Sequence, residues 1–289
     1  MRFWKRLSAR KKRPEKLPRS RRDGISQDYE RVDPLQVGQG SDIGKARQTN
    51  EDAFLILKSL TRTERGLLPV ALFIVADGLG GHSKGEEASS LATKVAGGVI
   101  VQEILLPRLR SQDSDIADRP IQEILTEAIM SANQAVSELE SDAGTTLTLA
   151  LVLGHSAHLA HVGDTRVYYL DDNGLRQITQ DHSLVNRLVE LGQISAQEAQ
   201  HHPQRNSLYR ALGQGPELEV DTYFQLLKQD SRLILCSDGL WNAVSEEEMV
   251  DVIRSSSSPQ EACNRLIDRA NEHGGEDNIT IVLARINYG

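Results

Sequence analysis

Four aspartates in this sequence each sit at the end of a strongly apolar run, beside a glycine or an asparagine. They are Asp77 in Val75-Ala76-Asp77-Gly78-Leu79-Gly80-Gly81, Asp164 in His161-Val162-Gly163-Asp164-Thr165-Arg166, Asp238 in Leu235-Cys236-Ser237-Asp238-Gly239, and Asp277 in Glu276-Asp277-Asn278-Ile279. Taken singly, such residues are turn formers or helix caps. Brought into one cleft, four carboxylates would repel one another unless divalent cations neutralised them. The turn after Asp77 suits that chemistry, because four of the nine residues from Asp77 to Gly85 are glycine. A main chain without side-chain bulk lets a carbonyl approach a bound ion as closely as the carboxylate does. All of these donors are oxygen, which favours Mg²⁺ or Mn²⁺, with water completing an octahedron.

The elements that carry these residues follow from periodicity. Leu72–Ala76, Leu147–Leu153, His158–Val162, Arg232–Cys236 and Ile279–Ala284 are short, bulky and β-prone, so they read as buried strands. Ala88, Leu91, Ala92, Val95, Val99 and Ile100 recur at helical spacing, as do Ile121, Ile124, Leu125, Ala128, Ile129, Ala132, Ala135, Val136 and Leu139. Two further helices are expected over 246–253 and 259–270. Asp171-Asp172-Asn173-Gly174 is a hairpin turn. Residues 38–44 read as turn-rich, and 59–69 as a polar hairpin loop. His161 lies on a buried strand and is a core histidine rather than a ligand.

Composition sets limits. At 289 residues and 39% hydrophobic, the chain is long enough for one large globular domain. It contains no run of eighteen apolar residues and no apolar leader, so a cytoplasmic protein is expected. Two cysteines, Cys236 and Cys263, are too few for a disulfide framework and read as core thiols. Residues 1–22 hold 11 of the 33 Lys and Arg but only one of the 41 acids, so a segment of +10 precedes a body of −18. Such a block reads as a basic arm, 1–33, that remains disordered; the sharper alternative is contact with an anionic surface.

The segments Lys45-Ala46-Arg47-Gln48-Thr49-Asn50-Glu51-Asp52, Asp77-Gly78-Leu79-Gly80-Gly81-His82-Ser83-Lys84-Gly85-Glu86-Glu87-Ala88-Ser89, Gly144-Thr145-Thr146, His161-Val162-Gly163-Asp164-Thr165-Arg166, Ser237-Asp238-Gly239 and Glu276-Asp277-Asn278 resemble, in order and over nearly all of residues 44–284, the metal-dependent Ser/Thr protein phosphatases of the 2C type. The resemblance implies an α+β fold, a four-layer α-β-β-α sandwich of two antiparallel sheets flanked by helix pairs. It implies a catalytic domain over 34–289 with a flap subdomain at about 180–213. It further implies that Asp77 bridges two ions, with the Gly78 carbonyl on the first and Asp238 and Asp277 on the second. Asp164, sharing Asp238, would hold a third, and Glu51 would support the metals through water. Arg47 would hold the substrate phosphate, a role its planar fork of donors suits.

The implied reaction is hydrolysis of phosphoserine and phosphothreonine in proteins by direct attack of a metal-bridging hydroxide, with no Cys or His nucleophile. Many eukaryotic relatives carry a histidine two residues after the first aspartate, where this chain has Leu79, so the general acid is unassigned. The expected partners are phosphoproteins, including a Ser/Thr kinase or its substrates, approached by a monomer. Two alternatives stand beside this: a non-catalytic phosphatase-like binding module, and a metal-dependent nuclease served by the basic arm. Retention of all four aspartates weighs against the first. The acidic body weighs against the second, and no nucleic-acid partner is expected.

Overall fold

Alternation along the strands decides the architecture. In the strand Gly66–Leu79, the side chains of Ala71, Phe73 and Val75 point one way and those of Leu72, Ile74 and Ala76 the other, and both sets are buried. A strand buried on both faces needs a layer on each side. The computed structural model supplies them and describes residues 33–287 apart from 64–65, 81–82, 111–118, 140–142 and 201. The basic arm lies outside the described residues, except for Asp33, which pairs with Lys58.

In chain order the strands are β1 (Leu35–Asp42), β2 (Asp52–Thr63), β3 (Gly66–Leu79), β4 (Gly144–Thr145), β5 (Leu147–Leu153), β6 (Ser156–Val162), β7 (Arg166–Asp171), β8 (Gly174–Gln177), β9 (Asp221–Leu226), β10 (Arg232–Cys236) and β11 (Ile279–Ile286). One sheet has the order β1-β11-β10-β7-β8; the other has β2-β3-β5-β6-β9, with β4 added to the end of β3. Every pairing is antiparallel. Phe73, Val75 and Leu159 of one sheet meet Tyr169, Leu235 and Val282 of the other in a central cluster. Full burial of one such side chain contributes ~1.5–3 kcal/mol.

The helices are α1 (Ser83–Ile100), α2 (Leu106–Arg110), α3 (Ile121–Ser137), α4 (Leu184–Glu190), α5 (Ala196–Gln200), α6 (Asp238–Trp241), α7 (Glu246–Ser255) and α8 (Pro259–Glu272). A single π-helical turn, Val101–Leu105, joins α1 to α2. Ala88, Ala92, Ala96 and Ile100 of α1 and Ile124, Leu125 and Ile129 of α3 cover the outer face of the β3 sheet. Met249, Val252, Leu266 and Ala270 of α7 and α8 cover Ile281 and Leu283 of the other. The result is the expected α-β-β-α sandwich. Continuous helix over Lys84–Arg110 is long and apolar enough to cross a membrane. Its small-residue face is nevertheless packed on β3 and α3 within the sandwich.

Two expectations fail here. Residues 38–44 are largely strand, since β1 pairs with β11 from Leu35 to Asp42. Its glycines mark close packing instead of turning: a Cβ on Gly38 would stand 2.4 Å from the Pro259 carbonyl, and one on Gly40 2.3 Å from Ile267 Cδ1. Helix α8 therefore rests directly on the β1 backbone. Residues 59–69 are not a broad loop either, because β2 and β3 stay paired as far as Thr63 and Gly66. The segment is polar because the ribbon runs out into solvent, leaving Leu60 and Leu67 exposed.

Candidate metal centre

Four separate chain segments bring their aspartates to one edge of the sandwich. Asp77 stands where β3 changes partners: it faces Asp52 across β2, and the next two residues pair with β4. Its main chain is fixed on both sides, since its N–H donates to Thr146 Oγ1 at 2.9 Å and its carbonyl accepts from Thr145 Oγ1 at 2.9 Å. Gly78 must be glycine, because a Cβ would lie 2.3 Å from the Gly85 carbonyl oxygen and 2.6 Å from that of Glu51. Asp164 follows Gly163, whose φ of +115° only glycine adopts readily, in the tight turn between β6 and β7. Asp238 opens α6 straight after β10. Asp277 lies two residues before β11, accepting the Asn278 N–H at 2.8 Å.

Together they line a cavity of about 190 Å³ with Glu51, Gly78 and Leu79. Arg47 stands at its rim, donating from Nη2 to Asp277 Oδ2 at 2.7 Å. Its other N–H groups meet no acceptor among the described residues. The fold thus assembles every residue singled out from the sequence, including Glu51, whose backbone N–H donates to Asn278 Oδ1 at 2.7 Å. The lining contains neither cysteine nor histidine among the described residues. His161 is fully buried, held by Thr148 Oγ1 at 2.7 Å and the Gln180 carbonyl at 3.1 Å, as a core histidine should be.

Apart from the Arg47–Asp277 pair, no ion pair answers the charges of this edge among the described residues. Burial, and then the charges of Asp52, Asp238, Asp164 and Asp277, hold the Asp77 carboxyl well above the usual carboxylate range. Asp238 is raised in the same way by burial and then by Asp164. Burial pushes Asp164 up to about 7, with Asp181 adding to it. Asp52 goes up to about 6, again chiefly through burial. One Asp52 oxygen accepts from Ser237 Oγ at 2.8 Å; the other is buried with no donor in hydrogen-bonding geometry. Among the described residues no three acidic, His or Cys side chains converge as ligands on a single point. The carboxylates instead ring a cavity. That fits small hard cations that take one or two carboxylates each and keep several waters.

Sequence reasoning missed four contributors. Asp52 follows Glu51 directly, but only the β2–β3 register brings it against Asp77. Asn278, buried, donates to the carbonyls of Ile43 at 2.9 Å and Thr49 at 3.0 Å, and so pins the loop that carries Arg47 and Glu51. Asn206 and Leu208 reach the cavity from the flap. In the flap, His201 lies outside the described residues, and His202 Nδ1 accepts the Gln204 N–H at 3.2 Å.

A two-sheet sandwich with oxygen ligands converging at one edge defines a class of metallophosphatases, and comparison bears the assignment out. The chain belongs to the protein phosphatase 2C family, whose model matches residues 40–272. It is 37% identical over 248 residues to the serine/threonine phosphatase stp of Listeria welshimeri, covering 86% of this chain and 94% of that one. The crystal structure of the Mycobacterium tuberculosis serine/threonine phosphatase PstP/Ppp superposes with a TM-score of 0.72 at 33% identity, over 88% of this chain and 99% of that one. A PstP catalytic domain in complex with two manganese ions gives a TM-score of 0.69 at 33% identity, over 88% and 99% of the two chains.

Proposed function

We propose that this protein hydrolyses phosphoserine and phosphothreonine in proteins, using Mn²⁺ or Mg²⁺ held by the aspartate edge. The observation that carries the reading is the gathering of five carboxylates, Asp52, Asp77, Asp164, Asp238 and Asp277, of which only Asp277 has an ion-pair partner among the described residues. Asp77, the Gly78 carbonyl, Asp238 and Asp277 would hold two ions, Asp164 with Asp238 a weaker third, and Glu51 would orient water beside them. When bound, such ions supply a water that is deprotonated near neutral pH and neutralise phosphoryl charge.

The chain's own residues do the rest. Arg47 keeps one N–H on Asp277 and offers the others to the phosphoryl oxygens, which places the phosphorus over the carboxylate floor. Asn278 fixes the loop from which Arg47 reaches in. Leu79 contributes an apolar wall and no proton. The flap residues Asn206 and Leu208 stand where the peptide flanking a phosphorylated residue would pass, so specificity is assigned to the flap. The substrates would be a Ser/Thr kinase or the proteins it phosphorylates, met by a monomer in the cytoplasm.

The test is release of phosphate from a phosphothreonine peptide with Mn²⁺, with Mg²⁺ and with chelator, beside Asp238→Ala. Turnover that requires the cation and collapses in the variant is expected. Folded wild-type protein that binds Mn²⁺ and releases no phosphate would favour the non-catalytic module instead.

A further inference from the structure

Asp181 and His182 are consecutive residues at the root of the flap, and they grip the chain on both sides of Asp164. The His182 N–H donates to the Gly163 carbonyl at 2.7 Å, and the Gly163 N–H returns a bond to His182 Nδ1 at 3.1 Å. Because Nδ1 accepts, the ring proton resides on Nε2, which donates to Asp221 Oδ2 of β9 at 3.2 Å. Arg210 Nη1 also lies 3.2 Å from Nε2, but a protonated nitrogen cannot accept; that N–H goes to Asp221 Oδ1, likewise at 3.2 Å. On the other side, Asp181 takes the Arg166 guanidinium in a fork, with Nε at 3.0 and 3.1 Å from its two oxygens and Nη2 at 2.7 Å. Arg166 in turn lies over the Trp241 ring, 3.5 Å from its centroid, and Trp241 Nε1 donates to the Asp164 carbonyl at 3.0 Å. The far end of the flap is tied in the same manner: Leu212 exchanges backbone bonds with Thr145, at 2.9 and 3.2 Å, and Thr145 Oγ1 holds the Asp77 carbonyl.

We infer that Asp181 and His182 form a positioning clamp that sets where the Asp164 carboxylate stands and passes any displacement of the flap root to it. The inference rests on the reading of Asp164 as an ion ligand and deepens it. Neither residue lines the cavity, and His182 is 1% exposed, so neither touches substrate. They act through Gly163 and Arg166, the residues that bracket Asp164 and Thr165. A turn held at four points, by His182, Arg166, Trp241 and the Thr146–Thr165 hydroxyl pair at 2.6 Å, has one geometry while all four hold. One of the four, His182, belongs to the flap root, and a second, Arg166, is held by it through Asp181.

The clamp is tested on the full chain by counting bound Mn²⁺, from the electron paramagnetic resonance signal of the free ion, alongside phosphopeptide kinetics. His182→Leu removes the acceptor for the Gly163 N–H and should weaken the most weakly held Mn²⁺ by roughly tenfold, as loss of a group supporting a ligand does. The tighter ions and the peptide KM at saturating Mn²⁺ should not change. His182→Asn places an amide oxygen near the Nδ1 position and should recover most of the loss. Asp181→Asn, which keeps the side-chain shape and loosens the Arg166 fork, should weaken the same ion and serves if His182→Leu does not fold. Combining either change with Asp164→Asn should weaken Mn²⁺ no further than Asp164→Asn alone. If Asp164→Asn weakens Mn²⁺ binding while His182→Leu and Asp181→Asn leave it at the wild-type value, the clamp is wrong. If Asp164→Asn itself changes nothing, the assignment of Asp164 falls and the clamp goes with it.

Discussion

Two sets of buried acids, Asp181 at the flap root and the aspartates of the cavity, are treated in opposite ways. Asp181 accepts three N–H contacts from Arg166 and a fourth from Gln177 Nε2 at 2.9 Å, so its charge is answered by the fold. Asp77, Asp164 and Asp238 line one cavity and have no ion-pair partner among the described residues, the Arg47 guanidinium being committed to Asp277. The first arrangement is structure and the second is demand for a ligand. A protein that could place a guanidinium against Asp181 could have placed one against Asp238. Leaving the edge anionic raises the energy of the ion-free fold and lowers it again when divalent cations bind.

Removing an acid from the cavity, or the cation that answers Asp181, should break the comparison most clearly. Asp77→Asn should lower kcat/KM by roughly 10³-fold, as loss of several kcal/mol of transition-state stabilisation implies, yet leave the ion-free protein as stable as before or more so. Chemical denaturation in chelator reads the second effect, and a large destabilisation would show that the edge carboxylates hold the fold together. Arg166→Ala should instead cost about 3–5 kcal/mol of stability, because Asp181 is left buried without its partner. A variant that unfolds at the wild-type denaturant midpoint would remove the distinction between the two groups.

The pH dependence is the next effect in size. Asp52 and Asp164 titrate near 6 and 7 in the folded chain, above their ordinary value of 3.8, so the native state holds protons that the unfolded chain has released. The contribution of these two carboxyls to stability in chelator should therefore be fully present below about pH 4 and be lost as the pH rises to about 7. Saturating Mn²⁺ should abolish that loss; melting curves across the window that rise with pH in chelator would contradict it. The smallest effect is expected of Trp241→Phe, which keeps a ring under Arg166 but loses the bond to the Asp164 carbonyl, costing about 1 kcal/mol by denaturation.

The four aspartates were legible because their requirement is local. A carboxylate presented on a glycine turn at a strand end must be written as those residue types in that order, whatever lies around it. The buried strands and amphipathic helices were legible for the same reason, since alternation and 3.6-residue spacing are properties of a short window. Gly38 and Gly40 misled because a glycine needed under a crossing helix is spelled like a glycine needed in a turn. Nothing local separates the two.

What only the tertiary structure decided are relations between distant segments. The β2–β3 register set Asp52 against Asp77, and the packing of β11 let Asn278 hold a loop more than 220 residues earlier, with sequence separations of 229 and 235. The Asp181–His182 grip on Gly163 and Arg166 likewise joins segments that no periodicity connects. The sequence by itself determined the ligand types, the elements that carry them and, through its ordered motifs, the family. Which carboxylates share a cavity, and which of them the chain neutralises for itself, depended on strand register and sheet stacking. Those are set by the burial of whole faces, to which no single stretch of sequence gives access.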